Sequence, residues 1–443
     1  MGRSRRQKLP KDPVQVSIES LSHDGRGVAH IDGKAVFIHG ALPGEEVLFT
    51  YTRKQRSFDE GTLSTVLKAS PDRVEPRCEH FGVCGGCSLQ HMTPAAQIRA
   101  KQTTLTDAFQ RIGKVEPETV LPPLVTENPW GYRRKARIGA KFVVKKGRVL
   151  VGFRERGSGF ITDLKKCLVL HPQVGELITP LGDLIASLSI KEQVPQIEMS
   201  MGDDCCVLIF RVLAPPAAGD GDKLSAFGRE HGVHVYLQEG GVESIHPISG
   251  ENAELTYRLP AYDATLSFLP NDFTQVNSEL NRLMLDRALG MLELTSEDRV
   301  LDLFCGLGNF TLPIARKAGE VVGVEGDAGL VTRARENAKS NGINNSRYFT
   351  ANLYQSLEKE PWLLERFNKA LLDPPRSGAL EVLEHLPKLG IERIVYVSCY
   401  PGTLARDAGE LVNQHGFRLV SAGVMDMFPH TAHVESIALF EKR

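Results

Sequence analysis

The chain of 443 residues lacks any uninterrupted apolar run long enough to cross a membrane. Its N-terminus, MGRSRRQKLPKDP, is basic but lacks the apolar stretch and small-residue cleavage site of a secretory signal. Hydrophobic residues make up 42% of the chain and charged residues 24%, as in soluble globular proteins. We therefore expect a cytoplasmic protein of several domains, with no membrane partner and no obligate protein partner.

The sequence also lacks an excess of charge, since 53 basic residues nearly balance 54 acidic ones. Positive charge is nevertheless concentrated locally: between Arg133 and Arg156, ten Lys or Arg residues stand against a single acid, Glu155. There, WGYRRKARIGAKF interleaves aromatic and basic residues, a pattern typical of stacking platforms and phosphate contacts in nucleic-acid binding. A merely solvated basic face is the alternative interpretation.

Cysteines are few, and a reducing compartment makes a disulfide framework improbable for the eight that are present. Three follow the spacing C-x5-C-x2-C and a fourth lies far downstream, which together are Cys78, Cys84, Cys87 and Cys167. Four thiolates can hold a [4Fe-4S] cluster or a zinc ion, and the spacing alone does not choose between them.

The N-terminal part of the chain predicts a small β-barrel of OB type. Residues 14–67 contain five short alternating segments separated by turns, namely VQVSIESL, GVAHI, KAVFIHG, EEVLFTY and GTLSTVL. Basic residues flank them and would suit an oligonucleotide, although a solvated surface explains them equally well: Arg3, Arg5, Arg6, Arg53, Lys54 and Arg56. A cysteine-rich loop, a helix-like run and a proline-rich linker come next, and residues 130–268 return to strand-like alternation.

After about residue 278, amphipathic helical stretches alternate with short apolar runs: RVLDLF, EVVGVE, KALLDP and RIVYVS. This alternation predicts a parallel sheet in a doubly wound α/β domain. The first run leads into a glycine loop and a helix, as in nucleotide-binding sites. The third glycine of the dinucleotide fingerprint is absent, because Thr311 stands in its place, and NAD is therefore disfavoured.

Polar residues follow the next three strands of this domain. Glu325, Asn352 and Asp373 each stand at or just after a strand end, and ligands of open α/β sheets bind at this edge. Glu325 could accept hydrogen bonds from both hydroxyls of a ribose. Capping or turn-forming roles are the alternative for Asn352 and Asp373.

A fifth strand, RIVYVS, is followed directly by Cys399, which we expect at the same crevice. Methylation of carbon 5 of uracil requires a thiolate that adds to C6 and a carboxylate that later removes the C5 proton. Glu435, on a short apolar strand in DMFPHTAHVESIALF, is the candidate base. An inert buried thiol and an ordinary strand carboxylate are the competing interpretations. The nearby His430 and His433 have no third ligand at suitable spacing for a metal site.

Four motifs, DLFCGLGNFTLPIA, LLDPPRSG, VYVSCYP and DMFPHTAHVE, together resemble the RNA (uracil-5-)-methyltransferases. The resemblance implies that Cys399 is the nucleophile and Glu435 the proton acceptor. It also implies that S-adenosylmethionine is bound by six residues: Gln275, Phe304, Asn309, Glu325, Asn352 and Asp373. Tyr400 departs from the family pattern, in which Asn more often follows the catalytic cysteine.

The cysteine spacing is similar to that of the family's iron-sulfur branch, which acts on 23S ribosomal RNA, and the barrel is similar to that branch's TRAM domain. The resemblance implies a structural [4Fe-4S] cluster on Cys78, Cys84, Cys87 and Cys167. The expected fold class is α/β, with three domains: a TRAM barrel over 1–70, a central mixed domain with the cluster over 71–267, and a Rossmann-like methyltransferase domain over 268–443. Residues of about 93–122 are expected to pack on the catalytic domain.

The reaction implied is formation of 5-methyluridine in 23S ribosomal RNA, on a uridine flipped out of its stack. One alternative is a transfer RNA substrate, and another is an RNA-binding iron-sulfur protein without activity. A third is an amine methyltransferase, since Asp373-Pro374-Pro375 resembles the signature of those enzymes. They place an aromatic residue next, whereas Arg376 follows here.

Overall fold

A computed structural model describes residues 9–10, 12–355, 357–358 and 360–443, so that Arg3, Arg5 and Arg6 lie outside the described residues. The chain divides into two units. The first contains residues up to 104 together with 155–158 and 428–433, and the second contains 105–154, 159–427 and 434–443. Within the described ranges, no helix has both the length and the apolar character needed to span a membrane.

The first unit begins with one six-stranded sheet in the order β1-β5-β6-β4-β3-β2. Its strands are β1 (Val14–Ser17), β2 (Ser20–Leu21), β3 (Gly27–Ile31), β4 (Lys34–His39), β5 (Glu46–Lys54) and β6 (Phe58–Lys68). Because side chains alternate between the two faces of a strand, every second residue can enter one apolar core, which includes Val36, Ile38 and Phe49. The five predicted strands are confirmed, with the first divided into β1 and β2.

A buried ion pair ties the following loop to this sheet. Glu45 is fully buried and accepts hydrogen bonds from Arg73 Nε at 2.5 Å and from the Ser70 amide at 3.2 Å. The helix α1 (Pro94–Ala108) comes next. Its Gln97 accepts a hydrogen bond from the His430 amide at 2.9 Å, which holds the segment 428–433 within the first unit.

The second unit starts with a π-helical turn, Phe109–Gly113, which packs closely on a later helix. The strands that follow are β7 (Thr119–Val120), β8 (Lys135–Val143), β9 (Arg148–Gly152), β10 (Gln196–Met201), β11 (Cys206–Arg211), β12 (His234–Gln238) and β13 (His246–Pro247). The last six form a sheet in the order β13-β12-β11-β10-β8-β9. The helices in this stretch are α2 (Pro172–Gly175), α3 (Ile178–Ser187) and α4 (Asp220–His231). A two-stranded hairpin, β14 (Thr256–Leu259) with β15 (Ala264–Ser267), leads out of it.

The rest of the second unit is an eight-stranded sheet in the order β18-β17-β16-β19-β20-β22-β21-β7. Its strands are β16 (Arg299–Leu303), β17 (Glu320–Glu325), β18 (Ser346–Thr350), β19 (Lys369–Leu372), β20 (Arg393–Ser398), β21 (Phe417–Met425) and β22 (Glu435–Lys442). The helices are α5 (Ser278–Leu292), α6 (Thr311–Ala315), α7 (Ala328–Ser340), α8 (Leu380–Leu383) and α9 (Pro401–Asn413). Strands β16 to β20 are parallel and β22 is antiparallel, which confirms the predicted Rossmann-like α/β fold.

Candidate active site

The register of the parallel strands brings the predicted polar residues to one edge of the sheet. Leu303 pairs with both Val324 and Leu372, and Glu325 pairs with Thr350. The strands β16, β17, β18 and β19 therefore end side by side, with the loop after Leu303 and the residues Glu325, Asn352 and Asp373 at that edge. The common edge expected from the sequence is therefore formed.

The loop between β16 and α6 adopts an unusual backbone. Phe304 has φ of 64°, and Gly306 and Gly308 have φ of 55° and 100°. A positive φ is costly for a residue with a Cβ, and Phe304 is held in it by a hydrogen bond from its amide to the Val324 carbonyl at 2.8 Å. The Gly306 amide donates to Glu325 Oε2 at 3.1 Å, and a Cβ on Gly306 would meet open space. The loop is thus a backbone cradle with a carboxylate beside it, which fits a cofactor carrying a ribose.

Asn309 is fixed by neighbours that the sequence did not point to. Its side-chain oxygen accepts hydrogen bonds from Tyr257 Oη and Asn281 Nδ2, both at 3.0 Å, and its Nδ2 donates to Asn281 Oδ1 at 3.0 Å. Tyr257 comes from the hairpin strand β14 and Asn281 from α5. The orientation of Asn309 is therefore set by two separate elements.

Asn352 forms a local turn, because its Oδ1 accepts a hydrogen bond from the Tyr354 amide at 3.0 Å. Asn352 therefore has the turn-forming role that the sequence offered as an alternative. The same hydrogen bond fixes the backbone of Tyr354, whose ring centroid lies 5.8 Å from that of Phe304. Gln275 lies in the loop before α5, next to Val276, whose carbonyl accepts a hydrogen bond from the Arg134 amide at 2.9 Å.

Two carboxyl groups near the cradle have raised pKa values. Burial raises the pKa of Asp373 to about 7. Burial, together with the charges of Asp373 and Glu325, raises the pKa of Asp302 to about 8, although the Thr311 hydroxyl donates to it at 2.5 Å. Cys305, also buried here, has a thiol pKa well above its usual value, mainly because of burial. Cys305 is therefore unsuited to be a nucleophile at neutral pH.

Cys399 and Glu435 face each other across two antiparallel strands. The last pair formed by β20 and β22 is Ser398 with Ser436, so continuing the register by one residue sets Cys399 opposite Glu435. Cys399 is partly exposed just before α9, whereas Glu435 is only 4% exposed. Burial, followed by the negative charges of Glu435 and Asp373, raises the pKa of the Cys399 thiol to about 11.

Arg376 opposes this rise, and the sequence interpretation assigned it no place at the site. Its side chain forms a hydrogen bond with Cys399, and its charge lowers the thiol pKa. In the sequence, Arg376 only served as an argument against an amine methyltransferase. The signal that could have revealed it was a cation directly after Asp373-Pro374-Pro375, on a loop that follows a strand next to that of Cys399.

The loop carrying Arg376 is held by α9. The Thr403 hydroxyl donates to the Arg376 carbonyl at 3.1 Å, and the buried Asp407 accepts a hydrogen bond from the Ala379 amide at 2.8 Å. Gly378 has φ of 83°, and a Cβ there would lie 2.6 Å from both Arg406 Nη2 and Asp407 Oδ2. Only glycine fits this turn without displacing the side chains that anchor it.

The cysteines expected to hold a metal are divided between the two units. Cys78, Cys84 and Cys87 lie in the first unit and Cys167 in the second, and none of the eight cysteines forms a disulfide. Over the described ranges, no group of three or more His, Cys, Asp or Glu residues is arranged to hold a metal ion. In the first unit, Cys84 Sγ accepts a hydrogen bond from the Gly86 amide at 3.4 Å, and Arg156 Nη2 donates to the Cys87 carbonyl at 3.1 Å.

The basic stretch from Trp130 to Phe142 is partly used within the protein. Arg134 Nη1 forms an ion pair with Asp203 at 2.6 Å, and Lys135 Nζ donates to the Pro270 carbonyl at 3.0 Å. Tyr132 is 8% exposed and therefore does not offer its ring as a stacking platform. Arg137 is exposed but forms an ion pair with Glu198 at 3.1 Å, whereas Lys141 is exposed. A role of these two side chains as phosphate contacts stays a prediction.

Comparison with known proteins first defines the class. Residues 223–443 match the family described as tRNA (Uracil-5-)-methyltransferase, and residues 12–48 match the TRAM domain. The fold is similar to the crystal structure of Pyrococcus abyssi tRNA (uracil-54, C5)-methyltransferase in complex with S-adenosyl-L-homocysteine. The TM-score is 0.73 at 23% identity, over 96% of this chain and 99% of that one. The fold is thus that of an S-adenosylmethionine-dependent methyltransferase with an N-terminal TRAM domain.

Relatives with higher sequence identity to this chain identify its family. The 23S rRNA (uracil(1939)-C(5))-methyltransferase RlmD of Alkalilimnicola ehrlichii is 54% identical over 445 residues, covering 100% of this chain and 99% of that protein. The protein of the same name from Nitrosococcus oceani is 55% identical over 439 residues, covering 99% and 98%. The chain therefore belongs to the RNA (uracil-5-)-methyltransferase family, and it is an enzyme that transfers a methyl group.

Proposed function

We propose that this enzyme methylates carbon 5 of a uridine in 23S ribosomal RNA, through a covalent bond between Cys399 and the pyrimidine. The observation that carries the proposal is the position of Cys399 and Glu435, each one residue beyond the last pair of β20 and β22 and beside the cofactor cradle, since this reaction needs a thiol and a carboxylate there. The choice of ribosomal RNA rests on the names of relatives that match over nearly the whole chain. Such a substrate would place the reaction in the cytoplasm.

S-adenosylmethionine, when bound, supplies an electrophilic methyl group. We propose that Glu325 accepts hydrogen bonds from the ribose, as its position at the end of β17 beside the glycine cradle favours. The other contacts are proposed on the same motif basis and would come from Gln275, Phe304, Asn309, Asn352 and Asp373. The strained φ of Phe304 supports this assignment, because backbone strain of this kind often accompanies ligand sites.

In the proposed mechanism, the Cys399 thiolate adds to C6 of the uracil and the C5–C6 π electrons form an enolate. Carbon 5 of the enolate then forms a bond to the methyl group as the S–CH3 bond breaks, and S-adenosylhomocysteine is the leaving group. Glu435 removes the remaining C5 proton, the electrons of the C5–H bond re-form the double bond, and the C6–S bond breaks to return the thiolate. Glu435 then releases this proton to solvent, and with both the carboxylate and the thiolate restored the enzyme is regenerated.

A thiol with a pKa of about 11 is mostly protonated at neutral pH, so the thiolate needs support. Arg376 already acts on this pKa, and we propose that it keeps the value from rising further, since its charge and hydrogen bond both favour the ionised sulfur. Cys399 also stands two residues before α9, whose N-terminal amides favour a nearby anion. Arg376 thereby offsets part of the repulsion that Glu435 imposes on the thiolate.

We also propose the domain division expected from the sequence, at residues 70 and 267. The expectation that residues of about 93–122 pack on the catalytic domain is supported by two contacts within the second unit. The turn Phe109–Gly113 packs on α9. The approach is so close that a Cβ on Gly113 would lie 2.3 Å from the Ala405 carbonyl oxygen. The short strand β7 adds to the catalytic sheet beside β21.

We propose a [4Fe-4S] cluster on Cys78, Cys84, Cys87 and Cys167 as a structural element. What supports it in the first unit is an environment that stabilises thiolates, with a backbone N–H on Cys84 Sγ and the positive charge of Arg156 close to Cys84 and Cys87. Anaerobic purification should yield a coloured protein with about four iron atoms per chain. Stoichiometric zinc without iron would refute the assignment.

The central experiment compares RNA substrates. Purified enzyme, labelled S-adenosylmethionine and either 23S rRNA or transfer RNA are incubated, and 5-methyluridine is mapped by mass spectrometry. We expect product in 23S rRNA. The family description names transfer RNA, so methylation of transfer RNA alone would establish that alternative.

Two variants test covalent catalysis. Cys399→Ala should lose turnover while binding S-adenosylhomocysteine normally, and Cys205→Ala, just before β11 of the other sheet in the same unit, is the matched control that should remain active. RNA containing 5-fluorouridine should become covalently attached to the peptide that carries Cys399. Product formation by Cys399→Ala would exclude the mechanism, and absence of 5-methyluridine with every RNA would favour a binding protein without activity.

A further inference from the structure

The loop that carries Gln275 forms hydrogen bonds or ion pairs with three other elements, namely α5, β8 and α7. It runs from Phe268, after β15, to Asn277, which caps α5 by accepting a hydrogen bond from the Leu280 amide at 3.2 Å. At its far end, the Arg134 amide donates to the Val276 carbonyl at 2.9 Å. We refer to residues 268–277 as the cofactor-facing loop, a name that rests on the proposed role of Gln275.

Lys135 holds the middle of this loop. Its ammonium group donates hydrogen bonds to the carbonyl oxygens of Pro270, at 3.0 Å, and of Asp272. Lys135 belongs to β8 of the other sheet in the second unit, so one side chain connects that sheet to the cofactor-facing loop. Both acceptors are backbone carbonyl groups, so these hydrogen bonds restrain the backbone of the loop.

Asp272 extends the connection to the helix behind Glu325. The carboxylate is 3% exposed and forms an ion pair with Arg333 of α7, at 2.5 Å from Arg333 Nε and 2.6 Å from Nη2. It also accepts a hydrogen bond from the Leu269 amide at 2.7 Å. Because α7 follows Glu325 directly in the chain, Asp272 links the segment of Gln275 with that of Glu325.

We propose that Lys135 and Asp272 are positioning residues that hold the cofactor-facing loop in the arrangement that binds S-adenosylmethionine. Lys135 then serves cofactor affinity, although its place in a basic, aromatic stretch suggests an RNA contact. This position disfavours the charged form of Lys135, because burial lowers its pKa to about 8. The charge of Arg137 lowers the pKa further, whereas the charges of Asp272 and Glu198 oppose the change. A phosphate contact on an exposed surface would carry no such penalty on the charged form.

The test separates cofactor binding from RNA binding. The probes are S-adenosylhomocysteine, titrated by calorimetry, and a 23S rRNA transcript, bound at several salt concentrations. Lys135→Met should weaken S-adenosylhomocysteine about tenfold, and it should raise the KM for S-adenosylmethionine with little change in kcat at saturation. Its RNA affinity and the salt dependence of that affinity should equal those of the unmodified enzyme.

Lys141→Met is the matched control, since Lys141 lies on the same strand and is exposed. It should leave S-adenosylhomocysteine binding unchanged and weaken RNA binding, with the salt slope reduced by about one. Lys135→Arg, which keeps the charge and the donors, should recover part of the lost cofactor affinity.

Three results would overturn the inference: unchanged S-adenosylhomocysteine binding in Lys135→Met, a loss of RNA affinity equal to that of Lys141→Met, or no recovery in Lys135→Arg. If Lys135→Met does not unfold cooperatively, Arg333→Gln replaces it, and unchanged cofactor binding in that variant counts against the proposal. Failure of the unmodified enzyme to bind S-adenosylhomocysteine would instead contradict the proposed function.

Discussion

The acidity of Cys399 can be shifted in opposite directions by two single substitutions, and this gives a sharp test of the active-site electrostatics. Glu435→Gln removes a negative charge that raises the thiol pKa, so the pKa should fall below its present value of about 11. Arg376→Gln removes a positive charge and a hydrogen bond that lower the pKa, so it should rise further. Glu435→Gln keeps the size of the natural side chain, whereas Arg376→Gln also shortens it.

The expected size of each shift follows from the proximity of the two charges to Cys399 and from the exposure of the thiol. A charge within about 4–6 Å moves a pKa by roughly 1–3 units, and the partial exposure of Cys399 favours the lower end of that range. At pH 8, a thiol with a pKa of about 11 is ionised in roughly one molecule in a thousand, and a shift of one unit changes that fraction about tenfold. Glu435→Gln should therefore react about ten times faster with an alkylating agent, and Arg376→Gln about ten times more slowly.

The assay is alkylation by iodoacetamide between pH 7 and about 10, followed by mass spectrometry of the peptide that contains Cys399. Glu441→Gln, at the opposite end of β22, is the matched control and should leave the rate unchanged. Although Glu435→Gln makes the thiolate easier to form, it should lower turnover by about 10²-fold to 10⁴-fold, because the C5 proton has lost its acceptor. The reasoning fails if both substitutions shift the alkylation rate in the same direction, or if Glu435→Gln turns over normally.

Three further predictions concern the cofactor cradle and the loop beside it. The pKa of Asp302 is raised to about 8, so the folded state keeps a proton that the unfolded state loses near pH 4. The free energy of unfolding should therefore fall as the pH rises from 4 to 8. Thermal denaturation of Asp302→Asn should show this slope flattened by at most about 1.4 kcal/mol per pH unit. Tyr257→Phe removes a donor to Asn309 and should cost about 1 kcal/mol of stability and raise the KM for S-adenosylmethionine several-fold, whereas an unchanged KM would mean that Asn309 does not contact the cofactor. Gly378→Ala should cost about 1–3 kcal/mol and lower kcat because it displaces the loop of Arg376, and a fully active, equally stable variant would contradict the need for a glycine there.

Much of this protein could be predicted from local sequence patterns. The alternation of apolar and polar residues predicted the N-terminal strands, and the order of apolar runs and helices predicted the parallel sheet, because both patterns reflect which side of an element is buried. The position of Cys399 after β20, and of Glu325 and Asp373 at strand ends, followed from the rule that parallel strands finish at a common edge. The motifs around these residues also predicted the family, which the comparisons confirmed.

Other features depended on contacts between segments that are distant in the chain. The approach of Arg376 to Cys399 requires the turn at Gly378 and its anchors on α9, and the pairing of Cys399 with Glu435 requires the antiparallel register of β20 and β22. The use of Lys135 differed from the sequence interpretation because its partners are backbone carbonyls of Pro270 and Asp272, which no side-chain pattern reveals. The pKa values and partners of charged and hydrogen-bonding groups depend on what surrounds them after folding. Hydrophobic periodicity, in contrast, is already present in the linear chain. The fold could therefore be predicted from the sequence, and the electrostatics of the site could not.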